Sequence, residues 1–139
     1  MADSLREFVK RRAGDLCEYC RLPQKFTSLS HEIDHIIAVK HRGPMVATNL
    51  ALACYGCSKH KSSNIAGIDP VTGTIVRLFH PRRHKWSAHF YWDGPVLVGR
   101  TDIGRATIEV LEINLPGRIE IREALIDDGV FPPRIGEPT

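Results

Sequence analysis

Four cysteines, grouped as two C-x-x-C pairs, constrain this 139-residue chain more than any other feature. Cys17 and Cys20 form the first pair and Cys54 and Cys57 the second; residues 21–53 lie between them, and there is no other cysteine. Two thiolates two residues apart can converge on one ion from a tight turn, and two such turns complete a closed tetrahedral shell. Turn-forming residues flank the pairs: Gly14-Asp15 before the first, Arg21-Leu22-Pro23 after it, Gly56 inside the second. A redox dithiol needs only one pair, placed at a helix start after a strand, and paired disulfides belong to oxidising compartments. The pattern therefore points to a structural Zn²⁺ held by four cysteines, with no open position for chemistry.

Composition places the chain among globular proteins, with 42% hydrophobic and 25% charged residues. No run approaches the roughly 18 apolar residues of a membrane span, and the first dozen residues are polar rather than signal-like. The expectation is a cytoplasmic protein of one domain over residues 1–139, with no membrane partner. The net charge of +3 conceals an asymmetry, because Lys and Arg are concentrated before residue 100 and Asp and Glu after it. A basic body suits a polyanion that touches one part of the surface, and equally suits a solvated face.

Between the cysteine pairs, His31-Glu32-Ile33-Asp34-His35-Ile36-Ile37-Ala38-Val39 alternates and is rich in β-branched residues, as a strand requires. Asn49-Leu50-Ala51-Leu52-Ala53 reads as a second short apolar strand, and the run from Ser58 to Asn64 as a short polar helix. The unit is thus β-β-α, with a histidine on its first strand.

These residues resemble the HNH endonuclease family. The resemblance rests on the two C-x-x-C pairs, the Asp34-His35-Ile36 triplet, the Asn49-Leu50 pair and Lys61, in the family's order over about residues 12–65. Outer segments such as Gly67-Ile68-Asp69-Pro70 and Leu78-Phe79-His80-Pro81-Arg82 are similar to small standalone members. The resemblance implies an α+β fold: a ββα-metal core over residues 1–66, stapled by zinc, and a C-terminal hairpin with helices over residues 67–139.

It also implies phosphodiester hydrolysis in DNA, with RNA left open. His35 would activate the attacking water, a role that suits an imidazole with an ordinary pKa of about 6.5. Asp34 would bind a divalent ion, and Asn49 would hold the loop that aims His35. Hard oxygen ligands favour Mg²⁺ or Mn²⁺, and imidazole participation admits Ni²⁺. Lys61, Arg42, Arg82 and Arg83 are the expected DNA contacts. The chain departs from the family at Ser58, where Asn or His usually supplies the second ligand of the catalytic ion. Ser58 would then act through water, or His60 would replace it, or the protein is a catalytically impaired DNA-binding module. A third reading is a zinc-stabilised interaction protein with no nucleic-acid role. One active site per chain leaves a homodimer open, since a double-strand break needs two subunits or two successive nicks.

Elsewhere, Leu5, Phe8 and Val9 have helical spacing, and Lys10-Arg11-Arg12 either touches DNA or ends a solvated helix. Asp93-Gly94 marks a hairpin turn between an aromatic strand and Val96-Leu97-Val98. Thr101-Asp102 caps a helix expected through Ile113, and a second is expected from about Pro116 to Asp128. Pro132, Pro133 and Pro138 mark a frayed tail.

Overall fold

The structure, a computed structural model, describes residues 2–134, so Pro138 lies outside the described residues. Helix α1 (Asp3–Ala13) ends on Gly14, whose left-handed φ of 64° suits a residue without Cβ. Val9 on α1 is buried against Leu50 and Leu52, which anchors the helix on the strands that follow. The first cysteine turn is closed by a bridge between Leu16 and Pro23, and the Cys17 N–H donates to the Leu22 carbonyl at 3.0 Å. Strands β1 (Glu32–His35) and β2 (Leu50–Ala53) pair antiparallel, with Ile33 opposite Leu52 and His35 opposite Leu50. Helix α2 (Tyr55–Lys61) follows at once and completes the expected β-β-α order.

The end of β1 and the start of α2 differ from the sequence expectation, each for an identifiable reason. β1 stops at His35 rather than running on to Val39. The Lys61 ammonium donates to the carbonyls of His35 and Ile36 at 3.1 and 3.0 Å, and Asn49 captures the backbone of Ile37, so a ladder cannot continue. α2 begins at Tyr55, not Ser58, because the Cys54 sulfur accepts the Cys57 N–H at 3.4 Å and caps the helix. Ser58 therefore sits within the helix rather than at its start.

The remaining chain forms a β3 (Ala66–Ile68) and β4 (Ile75–Arg77) hairpin, a single turn α3 (Trp86–His89), and a β5 (Phe90–Asp93) and β6 (Val96–Gly99) hairpin. Helices α4 (Asp102–Val110) and α5 (Pro116–Asp127) follow. The second hairpin turns at Gly94 with φ 59°, as Asp93-Gly94 predicted. Thr101 Oγ1 accepts the Gly104 N–H at 3.1 Å and caps α4. That helix stops short of Ile113, since Glu112 has a left-handed φ of 47°. Trp86 lies on α3, not on the aromatic strand.

Phe79, Phe90, Leu97, Leu111 and Ile113 pack in one buried cluster with all four cysteines. Buried Asp69 at the β3–β4 turn accepts two bonds from Arg105 on α4, at 2.8 and 2.9 Å. Those bonds hold its carboxyl well below the usual carboxylate range. Among the described residues, no helix is long and apolar enough to cross a membrane.

Candidate functional site

The cysteine centre is the most completely formed. All four Sγ atoms lie within 4.8 Å of one another, and Cys20 and Cys54 Sγ are 3.6 Å apart. A tetrahedral zinc thiolate with bonds of about 2.3 Å requires sulfur–sulfur edges of about 3.8 Å, so the donor set fits that ion. Each turn also aims a backbone N–H at a sulfur: Cys20 at Cys17 Sγ and Cys57 at Cys54 Sγ, both at 3.4 Å. One partner escaped the sequence reading. Arg118, from the first turn of α5, donates to Cys57 Sγ at 3.0 Å and to Cys54 Sγ at 3.6 Å. Nothing around Pro116-Gly117 signals a link to cysteines some sixty residues earlier.

At the far end of β2 from Cys54, Asn49 ties down the loop that leaves β1. Its Oδ1 accepts the Ile37 N–H at 2.9 Å, and its amide donates to the carbonyls of Ile37 at 3.0 Å and Pro44 at 2.9 Å. A Cβ at Gly43 would lie 1.7 Å from the Ile37 carbonyl oxygen, so only glycine lets the loop close this tightly. Asn49 is itself buried, and Asn49→Ala would leave these backbone groups without partners. The variant should lose about 2–4 kcal/mol of stability by chemical denaturation, with faster proteolysis confined to residues 37–46. A loss below about 1 kcal/mol would mean that water replaces the clamp.

His35 is half-buried, and its Nε2 is shielded from solvent with no hydrogen-bond partner among the described residues. Strand alternation sets His35 and Ile33 on one face of the hairpin, above the α1-packed Leu50 and Leu52, and Asp34 on the other. Asp34 is 7% exposed. Its carboxylate accepts the Tyr19 hydroxyl at 2.8 Å and lies 3.2 Å from the Lys61 ammonium. Burial pushes the Asp34 carboxyl up, against the downward pull of Lys61 and Tyr19.

The other residues singled out from the sequence are dispersed. Lys61, expected on DNA, is 1% exposed and its ammonium is engaged inside the fold. Arg82, expected on DNA, forms a part-buried ion pair with Glu18, and Glu18 in turn accepts the Leu52 N–H at 2.8 Å. Arg82 thereby helps cover the free edge of β2, where Arg12 also donates to the Leu50 carbonyl at 2.7 Å. His60 meets the turn that follows α4, its Nδ1 2.6 Å from the Glu112 carboxylate. Ser58 is half-buried on α2, and Arg42 and Arg83 are exposed.

Among the described residues, the four cysteines are the one group of three or more His, Cys, Asp and Glu side chains positioned to hold a metal. Asp34 and His60 are each engaged by a different partner, Lys61 and Glu112. A groove of about 1050 Å³ opens between the end of α1 and the C-terminal segment, with Lys10, Arg11, Lys25 and Arg134 on its walls against Asp15. Arg12 lines one side of it and reaches the carbonyl of Leu50, the register partner of His35.

Residues 17–64 match the family model described as HNH endonuclease. That span contains both cysteine pairs, β1, β2, α2 and the Asn49 clamp. Comparison with curated proteins and with solved structures gave no match for the chain.

Proposed function

We propose that the protein is an HNH-type nuclease that hydrolyses phosphodiester bonds in DNA, with His35 as the general base. The observation that carries this reading is the His35 imidazole, whose Nε2 has no hydrogen-bond partner among the described residues although the segment around it is tightly fastened. A histidine retained for packing usually satisfies both ring nitrogens when buried. His31 Nδ1 is shielded in the same way, and on this reading the His35 ring turns its unsatisfied nitrogen toward the attacking water when DNA binds. Asn49 fixes the backbone two residues beyond His35, which supports its role in aiming the ring. In the reaction His35 takes the proton of the attacking water, and exposed Arg42 and Arg83 contact flanking phosphates. The cationic groove beside α1 offers a further track for the backbone.

A specific set of observations favours a second reading, a DNA-binding module without turnover. Ser58 stands where the family carries a metal ligand, and the Asp34 carboxylate is already neutralised by Lys61. For a divalent ion to reach Asp34, Lys61 would have to withdraw from it.

Nicking of supercoiled plasmid in Mg²⁺, Mn²⁺ or Ni²⁺ separates the two. On the nuclease reading the wild-type protein nicks DNA, and His35→Ala lowers the rate at least about 100-fold with DNA affinity unchanged. Inertness in all three ions, combined with salt-dependent binding that His35→Ala leaves intact, rejects turnover in favour of the module. Recovery of cleavage in Ser58→Asn would then identify the missing ligand as the cause.

A further inference from the structure

The contact between Arg118 and the cysteine sulfurs joins two parts of the chain that the sequence keeps far apart. Four thiolates around a divalent ion carry a net double negative charge, which is costly to bury beside Phe79, Leu111 and Ile113. Among the described residues, one cation donates to those sulfurs. The Arg118 guanidinium uses one nitrogen for Cys57 and Cys54 Sγ and the other for the carbonyls of Leu111 and Glu112, at 2.8 and 3.1 Å. Arg122, one turn further along α5, is spent on Pro95, Ile113 and Asn114 and donates to no sulfur.

The second cysteine turn is shaped to receive Arg118. A Cβ at Gly56 would stand 3.2 Å from the guanidinium carbon, so the missing side chain inside this C-x-x-C leaves the space in which the guanidinium lies.

We propose that Arg118 is a positioning residue of the metal centre, acting through the thiolates of Cys57 and Cys54, so that metal retention and docking of α5 are a single coupled event. The bond is charge-assisted, and outer partners of this kind tune both the electron density of a ligand and its release. This proposal depends on the zinc reading of the cysteines and is independent of nuclease activity.

The test compares wild type, Arg118→Met and Arg118→Lys as purified full-length proteins loaded with Zn²⁺ or Co²⁺. Arg118→Met is expected to release zinc to a chromogenic chelator about 10–100 times faster, with Arg118→Lys recovering part of the difference. In the Co²⁺ form, the thiolate-to-metal charge-transfer band should move to lower energy in Arg118→Met and return toward wild type in Arg118→Lys. A guanidinium that only caps the end of α4 would leave that band in place. Should Arg118→Met fail to fold, Gly56→Ala crowds the guanidinium without removing it and should shift the band in the same direction. Release within about twofold of wild type, with an unmoved cobalt spectrum in the folded variants, overturns the proposal.

Discussion

Stripping the ion from Cys17, Cys20, Cys54 and Cys57 is expected to unfold the protein rather than loosen it. The four sulfurs lie in the same buried cluster as Phe79, Phe90 and Leu97, so the centre is part of the core and not an appendage. Without the ion the turns at Cys17–Cys20 and Cys54–Cys57 lose their closure, and α2 loses the sulfur that caps it. Arg118 is left buried against neutral thiols. Apparent binding free energies of structural zinc, about 10–16 kcal/mol, match or exceed the roughly 5–15 kcal/mol net stability of a typical domain.

Trp86 offers the readout, since its indole donates to the Tyr19 carbonyl at 2.9 Å inside the first cysteine turn. Chelation, or Cys57→Ser, should red-shift tryptophan emission and abolish the cooperative thermal transition, and restored Zn²⁺ should reverse the former. A verified apo protein that melts at the holo midpoint would show that the remaining core suffices.

The second large effect is expected at Lys61. Its ammonium meets Asp34 at 3.2 Å and the carbonyls of His35 and Ile36 in an almost solvent-free site. Lys61→Met keeps the volume but takes the cation from a buried carboxylate, which retains the Tyr19 hydroxyl, and the donor from two carbonyls. Loss of one partner of a buried pair costs about 3–5 kcal/mol, read as a lower urea midpoint. Asp34→Asn combined with Lys61→Met should recover part of that loss, because the stranded charge is gone.

The pH dependence follows from the direction of the Asp34 shift. Burial raises its carboxyl in the folded state, and Lys61 opposes the rise. In Lys61→Met the largest opposing influence disappears while the Tyr19 hydroxyl remains, so the protonated acid is favoured more strongly in the folded protein. That contribution is present below the unfolded pKa of about 3.9 and is lost as pH rises through the folded value. The gap between wild type and Lys61→Met should therefore widen as pH rises from about 3.9 toward the variant's folded value and level off above it. A pH-independent cost below about 1 kcal/mol would mean that Asp34 has found another cation or reached solvent.

Much of the architecture could be read from the chain before any coordinates. Local chemistry dictates it: C-x-x-C spacing bends a turn around an ion, Asp93-Gly94 reverses a hairpin, and Thr101 caps a helix through its own hydroxyl. The Asn49 clamp was also legible, through the resemblance. Its partners Ile37 and Pro44 lie within a dozen residues, so one loop contains the whole interaction.

What the chain did not disclose is how its charges are spent. Lys61 and Arg82 look, residue by residue, like cations free for phosphate, and Asp34 like a carboxylate free for an ion. The fold commits all three internally: Lys61 to Asp34 across 27 positions, Arg82 to Glu18 across 64. His60 likewise turns to Glu112, and Arg118 to the cysteines. A periodic pattern reveals which side of an element is apolar, but a charged group's partner depends on which distant elements the packed core brings together. Secondary structure and the metal centre were determined locally, while the allocation of each charge to solvent, ion pair or sulfur was decided only in three dimensions.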